Sequence, residues 1–190
     1  MTLLTTMSAQ RRVIVFDNFN RANNNAGLGT ATTEQTWTSI HGTIGVNSQK
    51  AKMIVSSAGA MSVVETGYAD GILSFRIPDC TEFVRPAFRV TDANNYFLIA
   101  FNTSTSKYEV WRVQAGSVTA LAASQAAATP ANNDVVRVEL KGPTIRCFIN
   151  GALMISVSST FNQSVTKHGI NFRQLDTPTV DDFKFEIWGG

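Results

Sequence analysis

Val136-Arg-Val-Glu-Leu-Lys-Gly-Pro-Thr-Ile-Arg-Cys-Phe-Ile-Asn-Gly-Ala-Leu-Met-Ile155 decides the fold class of this chain. Apolar and polar residues alternate on both sides of Lys141-Gly142-Pro143-Thr144, and a third apolar run starts directly after Asn150-Gly151. A side-chain period of two is the signature of a half-buried strand. Asn-Gly between two such runs marks a type I′ hairpin turn, because both central residues need positive φ and these two tolerate it best. The stretch therefore predicts a three-strand antiparallel meander. Its register is not simple. A two-residue turn at Asn150 and Gly151 puts Ile145, Cys147, Ile149 and Met154 on one face and Phe148, Leu153 and Ile155 on the other. Both faces are then apolar, so the hairpin is either covered twice or carries a longer loop.

Outward from the meander, short apolar-rich runs recur at 13–16, 53–55, 61–65, 71–77, 84–90, 96–102, 108–114, 117–121, 168–172 and 182–188. Gly, Asn, Asp and Pro separate them, the spacing of a β-sandwich or barrel. Tyr96-Phe-Leu-Ile-Ala-Phe101 is apolar on both faces, as a central strand should be. Phe183, Phe185 and Ile187 alternate with charged residues and are expected to face the core with Leu140, Leu98 and Phe75. No segment has a long helical stripe, and 122–130 reads as a surface loop ending at Pro130. The expectation is an all-β, antiparallel two-sheet sandwich over 13–190, preceded by an extended N-terminal arm over 1–12. A chain of 190 residues buries roughly 70% of its unfolded surface, so its core needs neither metal nor disulfide. Cys80 and Cys147 lie far apart in sequence; Cys147 sits on a strand as a small buried thiol, and a disulfide between the two is allowed but not compelled.

Charged residues make up 16% of the chain and the net charge is +2. No Lys/Arg cluster interleaves with aromatics, so nucleic acid is not an expected partner. The polar surface comes from Ser, Thr, Asn and Gln, which cost less to desolvate than ions and suit contact with protein or glycan. The N-terminus lacks the basic-then-apolar pattern of a secretory signal, and no apolar run approaches the ~18 residues of a membrane span. Synthesis in a cytoplasm is expected, and the sequons at Asn102 and Asn162 then carry no glycosylation message.

Asp17-Asn-Phe-Asn-Arg21, Gly27-Leu-Gly-Thr30 and Trp37-Thr38 form an opening set of motifs. Asn94-Asn-Tyr-Phe-Leu98, the meander and Val180-Asp-Asp-Phe183 follow in order. Together they resemble the concanavalin A-like, laminin-G-like jelly-roll domains of tailed-bacteriophage virion proteins, particularly those of actinobacterial phages. The resemblance runs from residue 13 or so to the C-terminus. It implies a jelly roll whose first and last strands lie side by side. It also implies a virion structural protein, a capsid decoration (minor capsid) protein on the particle exterior, made in the host cytoplasm. Its partners would be the major capsid protein or tail proteins, and it would form a homo-oligomer in the particle. Leu3, Leu4 and Met7 of the arm would anchor in a neighbour's groove while Arg11 and Arg12 pair with acidic residues at its rim. The alternative is a tail-associated or carbohydrate-binding module for host-surface glycans, with Trp37, Trp111 and Tyr108 as contacts.

The chemistry available argues against an enzyme. Glucanases of this fold carry Glu-x-Asp-x-x-Glu on one strand, where alternation aims the carboxylates into one cleft; no such run occurs. Asp181-Asp182 is the only adjacent acidic pair, and strand neighbours point to opposite faces. Glu34, Glu65, Glu82, Glu109 and Glu139 stand apart. His41 and His168 have no metal-ligand spacing. Thr91-Asp-Ala-Asn-Asn95 offers one carboxylate, meagre for calcium, and reads as an Asx turn. No cofactor or metal is expected.

Overall fold

The computed structural model describes residues 10–55, 59–80, 83–173 and 178–189. Alternating sequence becomes strand at β1 (Arg11–Asp17), β2 (Trp37–His41), β3 (Thr43–Asn47), β4 (Lys50–Val55) and β5 (Ala60–Glu65). The middle of the chain supplies β6 (Gly71–Ile77), β7 (Arg85–Asp92), β8 (Asn95–Asn102), β9 (Lys107–Gln114) and β10 (Ser117–Ala123). The meander is β11 (Asp134–Lys141), β12 (Thr144–Ile149) and β13 (Ala152–Ser158), followed by β14 (Lys167–Phe172) and β15 (Thr179–Trp188). Among the described residues there is no helix; of the expected loop over 122–130, Ala122 and Ala123 still belong to β10 and the rest is irregular.

Two antiparallel sheets result, the jelly-roll sandwich read from the sequence. The eight-stranded sheet runs β13-β12-β11-β6-β15-β4-β3, with β1 beside β15. The seven-stranded sheet runs β10-β9-β8-β7-β14-β5-β2. Between them lies one apolar core that includes Phe75, Phe88, Phe97, Leu140, Phe172, Phe183 and Phe185. Ile187 packs against its margin. Leu98 is a correction: it is buried but belongs to the outer face of the seven-stranded sheet, since its cross-strand partners are Ala87 and Trp111 while Phe97 pairs with Phe88 in the core. An apolar run on a central strand covers both faces, and the periodicity alone does not say which half meets the larger core.

β2 and β3 are not legible in the sequence. They are short, and Thr38, Ser39 and Thr43 interrupt the apolar pattern. β1 lies against β15, Arg11 opposite Trp188 and Asp17 opposite Phe183, which places first and last strands side by side. Arg11 and Arg12 are therefore strand residues rather than part of a free arm; Arg11 approaches Glu186 and Arg12 donates to the Tyr68 hydroxyl at 2.8 Å. Leu3, Leu4 and Met7 lie outside the described residues.

The meander's register puzzle has a third answer. Asn150 (φ 50°) and Gly151 (φ 84°) form a tight turn with Ile149 opposite Ala152. Phe148 then faces Leu153 and Cys147 faces Ile155, so Met154 is an extra residue on the bulged strand. One inserted residue shifts the remainder of β13 by one face, which returns Ile155 to the core. Similar register shifts occur in the other outermost pairs, β9/β10, β2/β5 and β3/β4. A bulge also corrects the expectation for the acidic pair. Asp182 has φ 53° beside a register break, and both Asp181 and Asp182 reach Arg76, at 2.6 and 3.2 Å.

Candidate functional site

The opening motif is a structural joint. Asp17 at the end of β1 is fully buried, and its carboxylate accepts from Arg21 Nη1 (2.7 Å), Arg21 Nη2 (2.9 Å), the Phe19 amide (2.9 Å) and Trp37 Nε1 (2.8 Å). Arg21 also donates to the Leu28 carbonyl at 2.6 Å. A buried carboxylate surrounded by four donors is satisfied, and the long β1–β2 loop is tied to both its strands. Trp37 packs edge-on to Phe183 with centroids 4.7 Å apart. It is thus a core residue and not a sugar platform, which corrects one expected glycan contact. Tyr108 corrects another. It is 1% exposed, with its ring edge-on to Phe83 and Phe101.

Trp111 differs. In β9 the residues Tyr108 and Val110 face the core, so alternation sends Lys107, Glu109, Trp111 and Val113 to the outer face. Pairing with β8 sets Asn102 opposite Lys107, Ala100 opposite Glu109 and Leu98 opposite Trp111. Glu109 is held there by two N–H donors: Trp111 Nε1 to Oε2 at 2.6 Å and Asn102 Nδ2 to Oε1 at 2.8 Å. Arg85, at the start of β7, lies with its guanidinium 5.4 Å from the Trp111 ring centroid. Asn171 of β14 is opposite Arg85. Arg85 further lines a cavity of about 150 Å³ at the strand ends, with Phe83, Phe101 and Arg173 among its walls.

The rest of this face is made of small or flush apolar residues. Ala87, Leu98, Ala100, Met61, Val63 and Val90 are each 2% exposed or less. Ile40 and Tyr96 pack against Met61, Val63, Ala87 and Val90, so the half-exposed indole, an oriented carboxylate, an amide and a guanidinium stand at the margin of a closed apolar patch. Such a set offers both hydrogen-bond donors and acceptors to hydroxyl groups and a flat π-surface to C–H groups. The sequence pointed to Trp111, whose face Glu109 shares by the two-residue period, but not to Asn102 or Arg85. The available signal was the Asn102/Lys107 hairpin register, which brings residues seven positions apart within hydrogen-bond reach.

The histidine at 168, the cysteines and Asp92 have structural surroundings. His168 of β14 is fully buried, stacked on Phe185 at 4.7 Å. Its Nε2–H donates to the Tyr68 carbonyl (3.0 Å) and its Nδ1 accepts the Arg89 amide (3.3 Å). Burial foremost, with the nearby Arg89 charge, pushes its pKa down to about 4 despite the Tyr68 carbonyl. Burial also lowers the His41 pKa. Cys80 and Cys147 form no disulfide with each other; burial pushes Cys147 up to about 12, and burial with Asp134 pushes Cys80 up to about 11, so neither is a ready nucleophile. Asp92 closes the expected Asx turn, accepting from the Asn94 amide at 2.7 Å. Among the described residues no cluster of three or more His, Cys, Asp or Glu side chains is arranged to hold a metal.

No protein-family model and no curated protein matches the chain. Solved structures do. A carbohydrate-binding module from Bacillus subtilis aligns with a TM-score of 0.56 at 13% identity, covering 86% of this chain and 94% of that one. Domain 4 of an extracellular arabinanase from Geobacillus stearothermophilus, solved with arabinotriose, aligns with a TM-score of 0.57 at 12% identity over 94% of both chains. A Bacillus subtilis protein of unknown function with a galectin-like fold aligns with a TM-score of 0.58 at 10% identity, covering 88% of this chain and all of that one. At these identities the likeness is one of fold, a concanavalin A/galectin-like jelly roll.

Proposed function

We propose that the chain is a non-enzymatic glycan-binding module that engages a neutral saccharide on the outer face of its seven-stranded sheet. The observation that carries this reading is Glu109, fixed at 2.6 and 2.8 Å by Trp111 and Asn102 beside the Arg85 guanidinium. A carboxylate anchored by two donors keeps further acceptor capacity for sugar hydroxyls, and the indole supplies the apolar contact. Similarity of fold to a carbohydrate-binding module and to an arabinanase domain solved with arabinotriose supports the same class of ligand.

Hydrolysis is disfavoured by arrangement. A glycosidase needs two carboxylates roughly 5–9.5 Å apart. The positions across from Glu109 are Ala100 and Ala123, the diagonal ones on β8 are Leu98 and Asn102, and its same-face neighbours are Lys107 and Trp111. None is acidic. The virion-decoration reading retains the sequence resemblance alone: none of the structures named above carries a virion role in its name, and the two arginines assigned to a free arm are paired in β1. Calorimetric titration with a panel of neutral oligosaccharides, arabinotriose among them, tests the reading. Binding is expected, with Trp111→Ala and Glu109→Gln each weakening it at least tenfold or so, the loss of one good contact, and with no release of reducing ends. Absence of binding across the panel, or binding indifferent to both substitutions, overturns it.

A further inference from the structure

The opposite outer face holds a second constellation. In β11 and β12 the core takes Val138, Leu140, Ile145 and Cys147, so Glu139, Lys141, Thr144 and Arg146 point away from it. In β15 the same alternation sends Lys184, Glu186 and Trp188 outward. β6 lies between these strands but begins at Gly71, and Glu186 is already opposite Ile72. Trp188, two residues further along, therefore stands past the end of β6. Trp188, Glu139, Lys141, Thr144 and Arg146 enclose a depression of about 270 Å³. That lies just below the range of roughly 300–1,000 Å³ usual for small-molecule sites, room for a single ring with part of a neighbour.

The charges around it are unevenly used. Glu139 is engaged by Arg137 at 3.0 Å, and Glu186 by Lys184 at 3.3 Å and Arg11 at 4.0 Å. Lys141 and Arg146 have no ion-pair partner among the described residues. The depression thus presents two cations outside any ion pair, Arg146 directly across the ladder from Glu139, with a threonine hydroxyl and a half-buried indole on one rim. An anionic substituent would gain charge-assisted hydrogen bonds from Lys141 and Arg146. The apolar side of the ring that carries it would lie against Trp188.

We propose that this depression is a second binding site, specific for an acidic saccharide whose ring carries a carboxylate or sulfate group. The site is independent of the neutral-sugar site around Trp111, being built on the other sheet, and the two together make the module two-faced. The probes are tetragalacturonate for the carboxylate class, a heparin tetrasaccharide for the sulfate class, maltotetraose as the uncharged control and polyglutamate as a sugar-free polyanion. With the full chain, at least one acidic probe is expected to bind, and to bind more weakly as salt rises. Lys141→Gln and Arg146→Gln each weaken it about tenfold, the loss of one hydrogen bond to a charged group. Trp188→Ala weakens it comparably, and Trp111→Ala leaves it unchanged. Lys141 and Arg146 are exposed, so their variants keep the test valid if Trp188→Ala does not fold. The proposal is overturned if neither acidic probe binds, if binding ignores the Lys141 and Arg146 substitutions, or if polyglutamate binds as tightly as the saccharides. Loss of acidic-probe binding in Trp111→Ala overturns it too, by moving that ligand to the other face. Loss of neutral-sugar binding alone bears only on the first site.

Discussion

The two outer faces of this sandwich are built from opposite materials. On the eight-stranded sheet the outward positions carry ion pairs: Arg76 with Asp181 and Asp182, Arg137 with Glu139, Lys184 and Arg11 with Glu186. On the seven-stranded sheet they carry Ala87, Leu98, Ala100, Gly169, Met61 and Val63, with Glu109 set among them and Glu65 at the end of β5 opposite Lys167. Both faces obey the same alternation along strands of similar length. What differs is how each disposes of charge. Exposed pairs on the first face neutralise one another at little energetic gain. Glu109 on the second is 9% exposed at the residue level and depends on two N–H donors.

That contrast presumes a shared core holding the sheets in place, and the largest expected effect comes from removing it. Phe185→Ala should destabilise the protein by about 3–5 kcal/mol in urea titration, flattening both faces at once. A change under about 1 kcal/mol would mean the sheets are held by something other than this core. The joint between them should respond to acid. His168 sits on the seven-stranded sheet and stacks on Phe185 of the eight-stranded one. Its folded pKa of about 4 is below the ordinary 6.5, so the unfolded chain binds the extra proton first. The stability it contributes is complete above pH 6.5 or so and falls by roughly 1 kcal/mol per pH unit toward pH 4. His168→Gln should remove most of that slope; an unchanged slope would assign it to the carboxylates instead.

Smaller effects sharpen the comparison directly. Glu109→Ala strands the Trp111 and Asn102 donors on a partly covered surface and should cost about 1–3 kcal/mol. Glu139→Ala breaks a pair in a wetter setting and should cost less than about 1 kcal/mol. Thermal melts of the two variants side by side would reverse the assignment if Glu139→Ala proved the more damaging.

Much of the architecture was legible because long alternating runs fix both strand and face. The meander, the 71–77 strand and the last strand emerged that way, and Asn150-Gly151 announced its own turn. Bulges defeated the rest. The apolar residues on both faces around Met154 show that the register there is not simple, but nothing at Met154 or Asp182 says where a residue is inserted, because a bulge is selected by the partner strand rather than by local preference. The candidate site was half legible for a related reason. Glu109 and Trp111 share a face through the two-residue period, which sequence displays. Asn102 and Arg85 join them through inter-strand register, which it does not. Trp37 and Tyr108 looked like Trp111 in sequence, but a buried carboxylate in one case and flanking phenylalanines in the other draw them inward.

The register shifts in β9/β10, β12/β13, β2/β5 and β3/β4 have a consequence for crowding. An open strand edge is a row of free N–H and C=O groups that a second molecule can zip onto, seeding ribbons. Each outermost pair here is interrupted by a bulge, which kinks the rim and breaks that row. A chain with only 16% charged residues has little electrostatic repulsion to keep copies apart. Its kinked rims give it a geometric safeguard against ribbon growth instead.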